Sequence, residues 1–563
     1  MKTVRADAHQ FIKSTLGVGV LVLSIAGLSS CGGGGGSSSG SGDSATLSIS
    51  VSASNYYTGE NLSDGEVTGA WLLADGSYAY STAVANSDGE ATLVGSGFSS
   101  AQRVVVTFDS DGFGEQSEVL VAPVEGDEVA LELLPSMLET TVDASVANDL
   151  VVDGSTTALV SIPASALVDA DGNTVTGEVS AEVTILDPSS DASVMPGGYQ
   201  TSLSDDENLL ESFGAVNVTF TDTSGNSLNL AEGQTATVRI PVAAGASTSA
   251  SSMPLYYFDE ALGYWVEEGI ATLTYTEDGY FYVGEVSHFS TWNADQIYNT
   301  AYLSGCVEDQ EGNPVAGARL LAEGQTYVGS SSATSGSDGT FEIAAQQSSG
   351  FLLTASNDDL YSVTVQYIYT EDRALTDCLV LEPAPATITL TWGQNPSDLD
   401  TRFGGMSTDG SESFHIYYSN KTATFEDATL ALDVDDTSSF GPEVVTITSF
   451  PFAGSYEYGV HHYSGSSDIQ ASPARVELKL DDQEYVFQPP EGEATRCWSV
   501  FRLDVDEAMN VSVTTTGTWV DASACYAMGQ SSVTASGFSA MAIAPQPTLV
   551  EKAVEAKFYS KSE

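Results

Sequence analysis

At 563 residues the chain is too long for a single hydrophobic core, and about 150 residues per domain suggests three or four of them. Seventy-seven acidic against sixteen basic residues give a net charge of −61, which repels phosphate polymers and excludes nucleic acid as a partner. Such acidity suits solubility in a salty medium, where charges are screened within about 8 Å, and it also offers carboxylates to divalent cations.

In chain order, Lys2, Arg5 and Lys13 precede an apolar stretch from Leu16 to Leu28, well short of the roughly 20 residues of a spanning helix, so residues 1–31 read as an export signal. It closes on Leu28-Ser29-Ser30-Cys31, which resembles the bacterial lipobox. The resemblance implies that Cys31 is lipidated, becomes the mature N-terminus and anchors the chain in a lipid bilayer. Gly32 in place of an aspartate after the cysteine implies sorting to the outer membrane, at the cell surface or on the periplasmic face. Residues 32–44 are almost wholly Gly and Ser and form a flexible tether reaching about 20 Å.

From residue 45 onward, short alternating runs such as Thr46-Leu47-Ser48-Ile49-Ser50-Val51 and Arg475-Val476-Glu477-Leu478-Lys479-Leu480 read as half-buried strands. Asp88-Gly89, Asp111-Gly112, Asp171-Gly172-Asn173, Ser224-Gly225-Asn226 and Asp338-Gly339 punctuate them as turns, because Gly and Asn accept positive φ. The fold class is therefore all-β, with serial β-sandwich domains over 45–137, 138–296, 297–384 and 385–545, the first three forming a stalk. A tail over 546–563 has helix-like spacing, with Leu549, Val550, Val554 and Phe558 among Lys and Glu.

Besides Cys31, four cysteines remain, and they fall as two local pairs, Cys306 with Cys378 and Cys497 with Cys525. Four cysteines allow three connectivities, of which the local one comes first. Two such disulfides suit small β domains in an oxidising compartment.

Gly312-Asn313-Pro314-Val315-Ala316-Gly317-Ala318 followed by Ser337-Asp338-Gly339-Thr340-Phe341 resembles the carboxypeptidase regulatory-like fold, a sandwich of about seven strands that serves as an accessory domain. Residues 45–137, with Ser87-Asp88-Gly89-Glu90-Ala91-Thr92-Leu93, look like a weaker copy, and an immunoglobulin-like sandwich fits them equally. Tyr256-Tyr257-Phe258-Asp259, Gly263-Tyr264-Trp265 and Val286-Ser287-His288-Phe289-Ser290-Thr291-Trp292-Asn293 resemble the extracellular β module of cartilage intermediate layer proteins. The last domain opens on Trp392-Gly393-Gln394-Asn395-Pro396-Ser397-Asp398-Leu399-Asp400. It resembles the YfaP-like domain and, more distantly, the calcium-binding pre-peptidase C-terminal modules, although here Thr401-Arg402-Phe403 follows the second aspartate.

On a strand Asp398 and Asp400 share a face, and Asp433, Asp435 and Asp436 form a second acidic group in a turn-like stretch. Brought together they would supply the oxygen ligands of calcium, which takes six to eight at about 2.3–2.6 Å. Arg402 is the rival counter-charge, and Asp435-Asp436 capping a turn in solvent is the other reading. Tyr417, Tyr418, Tyr458 and Tyr463 offer stacking surface for a sugar, with core packing the alternative for half of them.

Enzyme signatures are weak. No His-Glu-x-x-His occurs, and Gly36-Ser37-Ser38-Ser39-Gly40 matches the hydrolase elbow only within the tether, where no strand or helix would hold it. The sequence thus points to a non-enzymatic, membrane-anchored binding or adhesion protein for a glycan or protein ligand, with calcium as the candidate cofactor. An envelope scaffold and an unrecognised hydrolase are the alternatives.

Overall fold

A computed structural model describes residues 46–529, except for 99–100, 190, 202–208, 244–245, 247–249, 358–359, 384–385, 438 and 481–482. Cys31, the tether and the tail lie outside the described residues. Among those described, the architecture is all-β: strands run from Thr46 to Val520, and the one α-helix is the four-residue turn Ala522–Cys525. No described helix is long and apolar enough to cross a membrane.

The first unit packs a three-stranded sheet against a four-stranded one. Its core gathers Ile49, Val67, Trp71, Leu93, Val104 and Phe108, the inward members of period-2 strands. The second unit is a ten-stranded sheet. Its first and last strands, Leu138–Asp143 and Asn148–Val151, lie against each other, so the sheet curls over one core around Phe220, Phe281 and Trp292. The third spans Thr300–Asp309 to Leu379–Pro383 around Leu303, Phe341 and Leu353. The fourth is a sandwich of a six-stranded and a five-stranded sheet over Trp392, Phe403, Tyr456, Tyr458, Trp498 and Phe501.

The first and third units share a strand order. In the first, the opening strand Thr46–Asn55 pairs antiparallel with the fourth strand, Glu90–Ser96, and parallel with the last, Glu128–Leu133. In the third, Thr300–Asp309 pairs antiparallel with Thr340–Gln346 and parallel with Leu379–Pro383. The disulfide Cys306–Cys378 bridges that parallel pair at its start.

The Asp/Gly/Asn stretches are hairpin turns with a common physical basis. At Asp169, Asp222, Asp309 and Asp506, one carboxylate oxygen accepts the main-chain N–H groups two and four residues on, and the Asn at the fourth position donates its side-chain amide to the carboxylate. These hydrogen bonds hold all four carboxyls below their ordinary range. Each acid is therefore occupied in closing its own turn.

The units do not form a linear stalk, because the chain folds back and its first unit touches the last. Arg475, 3% exposed, pairs with Glu132 of the first unit and with Glu477 at 2.6 Å. It donates from Nε to the Tyr56 carbonyl at 3.0 Å and lies 4.5 Å from the centre of the Tyr56 ring. The Tyr56 hydroxyl reaches Asp191 of the second unit at 3.0 Å, and Arg319 of the third pairs with Glu118 of the first at 2.6 Å. An apolar seam of Tyr56, Val105, Leu134, Met195, Phe258 and Trp265 seals the first unit to the second.

Two outcomes follow from these contacts. Arg475→Ala strips Glu132 of its ion-pair partner and leaves Glu477 with Lys479 alone, and it should cost about 3–5 kcal/mol in denaturant unfolding. Asp278, fully buried, accepts from the Ser155 and Thr156 hydroxyls and from the Thr156 and Thr157 main chain at 2.8–3.0 Å. Burial acts to raise its carboxyl, but these bonds outweigh it and hold the group well below the usual range. Its stabilising contribution is thus complete above the unfolded carboxyl value near about 4 and lost as pH falls further. The stability gap between wild type and Asp278→Asn should be largest at neutral pH and shrink below about pH 4.

Candidate functional site

The strand Asp398–Ser407 is buried on both faces. Leu399, Thr401 and Phe403 point into the sandwich, where the Thr401 hydroxyl meets the Tyr458 hydroxyl at 2.9 Å. Asp398, Asp400 and Arg402 take the opposite face. On one side the strand is paired along its whole length with Gly454–Ser464, which sets His461 opposite Asp400 and Gly459 opposite Arg402. On the other side its partner Ser413–Ile416 reaches only Phe403–Met406, so the edge at Asp398–Arg402 is open.

Side chains close that edge in place of a strand. The Thr401 N–H donates to Glu443 Oε2, and Glu443, at the start of the run Glu443–Ile447, is fully buried. Gly441 brings this loop against the Trp392 ring, where a Cβ would sit 2.7 Å from a ring carbon. Carboxylate oxygens of Asp400, Asp435 and Glu443 lie within 4.8 Å of one another. Arg402 Nη2 donates to Asp400 at 2.8 Å, Lys421 pairs with Asp435 at 2.9 Å, and His461 Nδ1 stands 3.5 Å from Asp400. Burial pushes the Glu443 carboxyl well above its ordinary value. Burial, followed by the charges of Asp400, Asp435 and Asp436, raises Asp398 to about 6.

Above the carboxylates the Arg402 guanidinium sits 4.9, 5.4 and 4.7 Å from the ring centres of Tyr417, Tyr418 and Tyr526, a cation–π arrangement. Tyr418 and Tyr463 touch, with ring centres 5.6 Å apart. They are 40% and 48% exposed, and Tyr526 is 48% exposed, so the cluster has a solvent face. The Tyr526 hydroxyl is 3.2 Å from His461 Nε2. Burial and the Arg402 charge lower His415, beside Tyr417, to about 4. The segment bearing Tyr526 is fastened by the disulfide Cys497–Cys525. It fits because Gly404 and Gly459 leave the sheet bare beneath Met528, where added Cβ atoms would come within 2.3 Å.

The structure thus gathers Asp398, Asp400, Asp435 and Asp436 at one place, with Tyr417, Tyr418 and Tyr463 nearby. Two of the expected site residues lie elsewhere. Asp433 faces the seam with the third unit, where it accepts from the Thr446 hydroxyl at 2.6 Å and from the Thr364 main chain, because the strand Thr429–Val434 is bulged between Leu432 and Val434 and ends before Asp435. Tyr458 is fully buried, stacked on Phe501 at 5.2 Å, because it occupies an inward position, and it offers nothing to a ligand. Glu443, Lys421 and Tyr526 join the site without having been singled out, and His461 joins it beside Asp400. An acid heading the apolar run Glu443-Val444-Val445-Thr446-Ile447 was the available signal for the first.

No family model matches the chain, and no curated protein does. Among solved structures it is similar to BcpA, the major pilin subunit of Bacillus cereus, at 9% identity over 60% of this chain and 100% of that one, with a TM-score of 0.14. It is also similar to the full-length major pilin SpaD from Corynebacterium diphtheriae, at 8% identity over 60% and 98%, TM-score 0.14. A third is the streptococcal ancillary pilin, at 9% identity over 44% and 90%, TM-score 0.13. Overlap this slight carries no argument about function. Sheet order and cores define the class, a multidomain all-β protein of serial β-sandwich units.

The loop closed by Cys497–Cys525, 28 residues long, sets the size of another effect. Cys497→Ser/Cys525→Ser should lower stability by about 3–4 kcal/mol and expose the Tyr526 segment to limited proteolysis.

Proposed function

We propose that the chain is a non-enzymatic, extracytoplasmic binding protein, anchored in a membrane through Cys31, whose fourth unit presents the Tyr417–Tyr418–Tyr463–Tyr526 face to a glycan. The observation that supports this most directly is the exposure of Tyr418, Tyr463 and Tyr526 around a buried Arg402. Sugar rings stack on exposed aromatic faces, and a platform fixed from below by a guanidinium loses little entropy on binding. The disulfides Cys306–Cys378 and Cys497–Cys525 support an oxidising compartment, and the lipobox-like Leu28-Ser29-Ser30-Cys31 supports an outer-membrane anchor. The first three units then act as a folded base for the fourth.

The test is a glycan array probed with the full-length protein, followed by titration of the strongest binder. Tyr418→Ala and Tyr463→Ala should each weaken binding by about 2- to 10-fold, while Tyr458→Phe leaves it unchanged. Retention of no glycan, or equal binding by all three variants, would leave an envelope scaffold as the better reading. Turnover of the bound glycan that disappears in His461→Ala would instead make the protein a hydrolase.

A further inference from the structure

The open edge of the strand Asp398–Ser407 collects more negative charge than its cations balance. Asp400, Asp435 and Glu443 face one another there, Asp398 lies within reach of the charges of Asp400 and Asp435, and Asp436 is next along the loop. Arg402 and Lys421 pair with two of the four, Asp400 and Asp435. That leaves two carboxylates, four less two, without a basic partner in a largely dry place.

The oxygens themselves point to what is missing. Glu443 is fully buried, its Oε2 is taken by the Thr401 N–H, and its Oε1 has no hydrogen-bond partner. Asp435 Oδ1 and Asp398 Oδ1 are likewise buried and unpartnered. A buried acceptor left unsatisfied is costly, and an ionised one more so. Here three such acceptors come from three carboxylates of one cluster. Oxygens on opposite sides of one calcium ion stand about 5 Å apart, and the Asp400, Asp435 and Glu443 oxygens all lie within 4.8 Å of one another.

We propose that Asp398, Asp400, Asp435 and Glu443 form a divalent-cation site of the calcium type, which closes the open edge of this strand by joining it to the loop that carries Asp435 and to Glu443. The donor set is all oxygen, which selects a hard cation. An irregular cage of side-chain carboxylates suits calcium, whereas magnesium keeps most of its water and asks for a regular octahedron. The site shares Asp400 with Arg402, so the ion and the guanidinium under the tyrosine rings draw on one carboxylate, and filling the site bears directly on the face above it. The inference concerns metal binding alone, and the glycan reading can fail without touching it.

The test titrates calcium chloride into the full-length protein in about 0.15 M sodium chloride, which screens loose binding to the acidic surface, and follows heat and thermal midpoint. One ion per chain should bind, saturating below about 10 mM, with a rising midpoint. Glu443→Gln keeps an acceptor for the Thr401 N–H and removes the charge. It and Asp435→Asn should each weaken binding at least tenfold, while Asp433→Asn, outside the cluster, leaves it intact. Glu443→Gln should also raise the midpoint of the calcium-free protein by relieving repulsion, which separates loss of the site from loss of the fold. Absence of saturable binding, or binding that Glu443→Gln and Asp435→Asn leave unchanged, overturns the proposal. In that case Glu443 is neutralised by a proton.

Discussion

A strand buried on both faces that reads Asp-Leu-Asp-Thr-Arg must compensate its charges where they stand, because water cannot reach them. Around Asp398–Arg402 that requirement shapes the fourth unit. Asp400 takes Arg402, Arg402 lies under three tyrosine rings, and Glu443 stands in for a missing strand at Thr401. Removing any of these would leave a buried charge or donor without its complement, a loss larger than the net worth of the contact. The loop from Asp435 to Glu443 and the disulfide-fastened segment around Tyr526 are the pieces that bring the compensating groups into place.

The same logic operates between units. Arg475 belongs to the fourth unit but finds a counter-charge and an aromatic face in the first, at Glu132 and Tyr56, and Tyr56 in turn reaches Asp191 of the second. A surface arginine would cost little to leave in water. One that is 3% exposed makes the arrangement of units part of its own stability. The acidic excess of the chain is thus not uniform in meaning. Many carboxylates close their own turns, as at Asp169 and Asp309, and only a few are gathered where no local partner suffices.

Among the tyrosines, position along a strand decides role. Tyr458 and Tyr463 lie five residues apart on Gly454–Ser464, so alternation puts them on opposite faces. One becomes core, hydrogen-bonded to Thr401, and the other becomes surface, touching Tyr418. Both looked alike in the sequence, as aromatic residues in a run of mixed polarity, and burial separates them, Tyr458 inside and Tyr463 exposed.

Local chemistry by itself determined the all-β class, the hairpin turns and the period-2 cores, because alternation and the φ preferences of Gly and Asn act over a few residues and need no distant partner. It also carried the pairing of Cys306 with Cys378 and of Cys497 with Cys525, which the strand neighbours then brought within bonding distance. It did not determine which acids meet. Asp433 and Asp435 are two residues apart, but their strand bulges and ends between them, and Thr446 together with Thr364 of the third unit holds Asp433 away from the cluster. Glu443 joins Asp400 because one strand ends early and leaves an edge to be filled. The fold-back that sets Arg475 on Tyr56 spans 419 positions, a separation at which no local preference acts and only complementary buried surfaces decide.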